Sequence, residues 1–71
     1  MSTLRCDYID MNCKTQMTFT RDKKYSAFDI TAGYLVYDNN WNHKLINKDT
    51  MTFSLAAENI ASDAKAYFTA I

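Results

Sequence analysis

Few residues of this chain could do chemistry. Cys6 and Cys13 are its thiols, and His43 is its one imidazole. A structural zinc site takes four such ligands, delivered in close pairs of the C-x-x-C or H-x-x-x-H kind. Neither spacing occurs, so no metal is expected. Nucleophilic catalysis needs a serine or cysteine beside a base, and an acid to orient the base. One histidine, with nothing in the sequence to set it beside a particular thiol or hydroxyl, supplies no such triad. The carboxylates stand singly over turns and strands instead of in pairs suited to acid–base work. A lone glycine builds no phosphate-cradling loop. The sequence therefore predicts a protein that is not an enzyme and has no cofactor.

The elements that would position any site are bounded by size. A chain of 71 residues makes a single domain, residues 1–71, and buries only about 60% of the surface its unfolded form exposes. Its 14% aromatic content compensates, because each ring buries a large area. Charge is balanced at net zero, with +1 over residues 1–36 and −1 over residues 37–71. Proteins that bind duplex DNA carry a concentrated basic footprint, whereas the run Arg21-Asp22-Lys23-Lys24 is broken by an acid. No stretch approaches the ~20 apolar residues of a membrane span. The start, Met1-Ser2-Thr3-Leu4-Arg5, lacks the apolar core of a signal peptide. A cytoplasmic location with reduced, part-buried thiols is the expectation.

Hydrophobic periodicity predicts four strands and a helix. Residues 3–11 alternate loosely, with Leu4, Cys6 and Tyr8 sharing a face, although residues 1–13 as an irregular arm is the competing reading. Residues 14–21 alternate better, with Met17 and Phe19 pointing one way. The run Tyr25 to Asp38 reads as one long strand, interrupted by a bulge or sharp twist at Gly33. Its more apolar face carries Phe28, Ile30, Tyr34 and Val36; the other carries Tyr25, Leu35 and Tyr37. Asp38-Asn39-Asn40 signals a hairpin, after which Trp41 to Asn47 returns with Trp41, His43 and Leu45 on one face, and Lys48-Asp49-Thr50 makes a second turn. Phe53 to Ile71 fits a helical wheel, with Phe53, Ala57, Ile60, Ala64, Tyr67, Phe68 and Ile71 on one side, Leu55 on the other and Ser54 as N-cap. The expected fold class is α+β: a small two-layer domain in which an antiparallel β-meander of three to four strands carries one C-terminal helix across one face.

One helix covers one face of a sheet. The bare face is then the place to seek function, and Tyr25, Leu35, Tyr37 and Trp41 are the candidate partner-binding residues, since exposed tyrosine and tryptophan dominate binding patches. The leading expectation is a non-enzymatic protein-binding module that acts by occupancy on a larger cytosolic protein or complex. Chains this short and free of motifs are common among phage and mobile-element inhibitors of host machinery, such as anti-CRISPR and other anti-defence proteins. A second reading is single-stranded nucleic-acid binding, with tyrosines stacking bases and Arg21, Lys23, Lys24 and Lys44 touching phosphates; the zero net charge disfavours it. A third is a structural homo-oligomer, a homodimer in its simplest form, joined through an edge strand or a helix face. No membrane partner is expected.

Overall fold

The computed structural model describes residues 2–10, 17–55 and 64–71. They form six strands in one antiparallel sheet: β1 (Ser2–Asp10), β2 (Lys24–Ile30), β3 (Gly33–Tyr37), β4 (His43–Ile46), β5 (Thr52–Ser54) and β6 (Lys65–Ala70). The strand order is β4-β3-β2-β1-β6-β5. The two ends of that series meet through the antiparallel bridge Asn47–Thr52, so the sheet curls into a nearly closed barrel. Curling gives the sheet one inner face to fill and removes most of the edge that an open sheet would leave unpaired.

Among the described residues the expected C-terminal helix gives way to a strand. β6 occupies Lys65–Ala70, paired with β1 from Leu4–Ala70 to Asp10–Lys65 and with β5 from Thr52–Tyr67 to Ser54–Lys65. Its burial alternates residue by residue: Ala64, Ala66 and Phe68 are buried, while Lys65, Tyr67 and Thr69 are exposed. The helical wheel was satisfied because alanines spread around it count as apolar on any face. In the barrel, Ala64, Ala66 and Ala27 are small for a reason: they line an interior already filled by rings. Phe53 lies in β5, and Leu55, expected on an outer helix face, is buried. The remainder of the expected helix, residues 56–63, lies outside the described residues. The two-layer α+β class thus gives way to an all-antiparallel barrel among the described residues.

Two further expectations change. The Tyr25 to Asp38 run is a hairpin, because the chain reverses through Thr31-Ala32 and Ile30 pairs with Gly33. Residues on either side of a two-residue turn lie on the same face, so the inward positions switch from Tyr25 and Ala27 to Tyr34 and Val36. A single strand across the turn would mix the two faces, as the sequence reading did. Residues 17–20 form no strand; the segment instead crosses one end of the barrel and inserts Phe19, with Met17 packed partly against the core. Residues 14–16 of that expected strand lie outside the described residues. β1 does form, as a strand and not an arm, and breaks its alternation at a bulge between Cys6 and Tyr8. The bulge puts both Asp7 and Tyr8 outside and returns Ile9 to the core side. Asp7 is held there by Arg5 Nε at 2.6 Å and by the Thr69 hydroxyl.

Among the described residues the core is Leu4, Cys6, Phe19, Tyr25, Ala27, Val36, Ile46, Phe53, Leu55, Ala64, Ala66 and Phe68. Phe19 is its hub: its ring meets Tyr25, Phe53 and Phe68 edge-on at centroid separations of 5.0, 5.3 and 5.1 Å. Edge-to-face pairs contribute about 0.5–1.5 kcal/mol each beyond the area they bury.

Gly33 is the tightest backbone position. It takes φ 149°, and a Cβ built on it would stand 2.3 Å from the Ile46 carbonyl oxygen in β4. Thr31 and Ala32 keep negative φ, so the hairpin's unusual backbone falls on the residue that can bear it. Gly33→Ala should lower folding stability by about 1–3 kcal/mol, read as a reduced urea midpoint. An unchanged midpoint would show that β3 and β4 do not approach this closely.

Candidate binding surface

The outer face of β2, β3 and β4 is built by register. Phe28 lies opposite Leu35 and Leu35 opposite Leu45, a continuous apolar row across three strands. Ile30 sits two residues along β2 from Phe28, and Tyr37 two residues along β3 from Leu35, both on the same side. Phe28 is 43% exposed and Leu45 47%. Alternation puts these residues outside because Ala27, Val36 and Ile46 occupy the inward positions. At the end of the face Tyr37 pairs with His43 across the strands; the rings lie 4.7 Å apart and His43 Nε2 is 2.9 Å from the Tyr37 hydroxyl. Trp41, 78% exposed, leans on Tyr37 with centroids 6.2 Å apart.

The loop carrying Trp41 is organised by Asp38, whose side chain is only 3% exposed. Its Oδ1 accepts hydrogen bonds from the backbone N–H groups of Asn40 and Asn42, each at 2.9 Å. Its backbone N–H donates to Asn42 O at 3.0 Å, and its carbonyl accepts from Trp41 N at 3.1 Å. Burial alone would raise the Asp38 pKa. The Asn42 N–H, the Thr18 hydroxyl, the Asn40 N–H and the Lys44 charge outweigh it and hold the pKa below the ordinary carboxylate value. Oδ2 and Thr18 Oγ1 are both buried and make no well-formed hydrogen bond, although the hydroxyl still favours the charged carboxylate. This tight loop forces Trp41 to φ 62°, a conformation that costs a bulky residue energy.

Of the residues expected to bind a partner, Leu35, Tyr37 and Trp41 lie on this face or at its end. Tyr25 points into the barrel and is 6% exposed, with its hydroxyl at the rim. Phe28, Ile30 and Leu45 join the face, although Phe28 and Ile30 were assigned to the core side. The signal that would have placed them was the turn at Thr31-Ala32, which carries neither glycine nor asparagine. Lys44, expected near phosphates, holds its ammonium 5.8 Å from the Phe53 ring centroid. Cys6 is fully buried, and burial raises its thiol pKa, which keeps it protonated and unreactive. Cys13 lies outside the described residues.

Cys6 inside the barrel and His43 outside it cannot share a ligand. Among the described residues no group of three or more His, Cys, Asp or Glu side chains converges on a point. No helix among them is long and apolar enough to cross a membrane. The chain matches no family model, no curated protein and no solved structure.

The low Asp38 pKa sets an acid dependence. A carboxylate whose folded pKa lies below its unfolded value stabilises the fold above the unfolded value, and that stabilisation is lost as pH falls through the folded pKa. Asp38→Asn should cost on the order of 1 kcal/mol at neutral pH. Urea midpoints should show the gap from wild type closing below about pH 4. A gap independent of pH would mean that the charge on Asp38 contributes nothing to the loop.

Proposed function

We propose that this chain is a small, non-enzymatic protein-binding module that acts by occupancy, docking its β2–β3–β4 outer face on a larger cytosolic protein or complex. The observation that carries this reading is the row Phe28–Leu35–Leu45, which runs unbroken across three strands with no charged side chain in it. A charge-free apolar row of this kind matches the desolvated centre of a protein interface. The polar groups around it, Asn42, His43 and the Lys48–Asp29 ion pair, suit the wetter rim. Tyr37 and Trp41 add the residue types that contribute most per contact. Among the described residues the inward side chains form a packed apolar cluster, which favours work done from the outside. The narrower class, a phage or mobile-element inhibitor of host machinery, belongs to this proposal on small size together with the absence of motifs.

The test is capture from host lysate by the tagged full chain, run beside a Phe28→Ser/Leu45→Ser double variant and a Tyr8→Ser control on the β1–β6 side. The double variant should lose its partner by at least about tenfold, the effect of removing ~1.4 kcal/mol of contact energy. It should remain folded with a modestly lowered urea midpoint, since each cross-strand pair lost contributes about 0.2–1 kcal/mol. The Tyr8→Ser control should capture as wild type does. Equal capture by all three chains contradicts the reading. So does a dimeric mass in light scattering that the double variant reduces to a monomer, which would make a second copy of the chain the occupant.

A further inference from the structure

The β2–β3 ladder stops at Ala27–Val36. Beyond it the strands part around a cavity of about 230 Å³. Lys23, Lys24 and Ser26 line one side; Tyr37, Asn39 and Trp41 line the other. Lys23 is fixed at the mouth, its Nζ donating to Asn39 Oδ1 at 2.9 Å and lying 5.4 Å from the Tyr25 ring centroid. Lys24 is exposed beside it. The acids nearby are Asp38, buried and committed to the loop N–H groups, and Asp22, exposed in the adjoining turn. The site therefore combines two ammonium groups, amide and hydroxyl hydrogen-bonding groups and an exposed indole.

We infer that this cavity binds a nucleoside phosphate, with the base stacked on Trp41 and the phosphate held by Lys23 and Lys24. Stacking needs a π-face that water leaves accessible, and Trp41 offers the most exposed ring of the large hydrophobic residues. Phosphate needs cations whose geometry is already set, and Lys23 is tied in place by Asn39. The strained backbone at Trp41 fits a residue kept for its ring at some expense in stability. The zero net charge gives the chain no long-range attraction for polyanions, so binding rests on local contacts. With one or two phosphates neutralised, the slope of log affinity against log salt on single strands should be shallow, about −0.7 to −1.4. The same chemistry is offered by a free nucleotide and by one unit of a single strand. The inference is separable from partner docking: Lys24 belongs to this cavity and Phe28 and Leu45 to the docking row, while Tyr37 and Trp41 lie where the two meet.

Trp41 is the only tryptophan, so its fluorescence reports on this site alone. The full chain is titrated at low salt with AMP, with a short oligo-dT and with inorganic phosphate. AMP and oligo-dT should quench the emission, and inorganic phosphate alone should not. Tighter binding of oligo-dT identifies a strand as the source, and equal binding a free nucleotide; either result supports the site. Measured by anisotropy of labelled ligands, Lys24→Glu and Trp41→Gly should each weaken binding at least about tenfold, and Lys24→Arg should retain it. Glycine suits the positive φ at position 41, so Trp41→Gly should keep or raise the urea midpoint, which separates lost binding from lost folding. No response to AMP or oligo-dT at low salt overturns the inference. A response that Lys24→Glu and Trp41→Gly leave unchanged overturns it as well.

Discussion

The structure depends on one ring. Phe19 comes from a segment that belongs to no strand, yet it touches rings from β2, β5 and β6. A barrel this small cannot fill its centre from strand residues alone when Ala27, Ala64 and Ala66 occupy inward positions, and the crossing segment supplies the missing volume. The segment is held by polar contacts at the rim. The Tyr25 hydroxyl accepts from Thr20 N at 2.7 Å and donates to Asn39 Oδ1 at 2.9 Å. Asn39 Nδ2 donates to Thr20 Oγ1 at 2.8 Å, and Asn39 N to Thr18 O at 3.0 Å. Asn39 thus ties the plug to the loop that presents Trp41.

That connection makes the core and the candidate surface one problem. Tyr25 closes the aromatic cluster with its ring and anchors the 38–42 loop through its hydroxyl, so its importance to the surface is structural. Asp38 completes the loop by accepting the backbone N–H groups of Asn40 and Asn42. The outward residues Phe28, Leu35, Tyr37 and Leu45 are then presented on a rigid support. Interfaces gain from such rigidity because little conformational freedom is lost on docking.

Much of this was legible in the sequence, and the misreadings have specific causes. β1 was placed nearly to its ends, and the turns at Asp38-Asn39-Asn40 and Lys48-Asp49-Thr50 were read from their asparagine and aspartate. In the latter, Asn47 Oδ1 accepts from the N–H groups of Asp49 and Thr50. The C-terminal strand was hidden because Ala64 and Ala66 satisfy a helical wheel as well as a β-alternation. The period-two reading rests on Phe68 alone as its large buried residue. The β2–β3 hairpin was hidden because its turn carries Thr31 and Ala32, while the glycine that permits it comes one residue later. Phe19 was read as sharing one face of a strand with Met17, and no local pattern says that a ring will plug a barrel made by distant strands. Of the surface, Leu35, Tyr37 and Trp41 were named from residue type, whereas Phe28, Ile30 and Leu45 needed the register.

The most direct test of the nearly closed barrel is a nuclear Overhauser spectrum of the aromatic side chains. The account predicts cross-peaks from the Phe19 ring to the rings of Tyr25, Phe53 and Phe68, together with strong attenuation of the Trp41 ring signals by a soluble paramagnetic agent. A Phe19 ring without those three contacts, or a Trp41 ring shielded from the agent in the free protein, would contradict it.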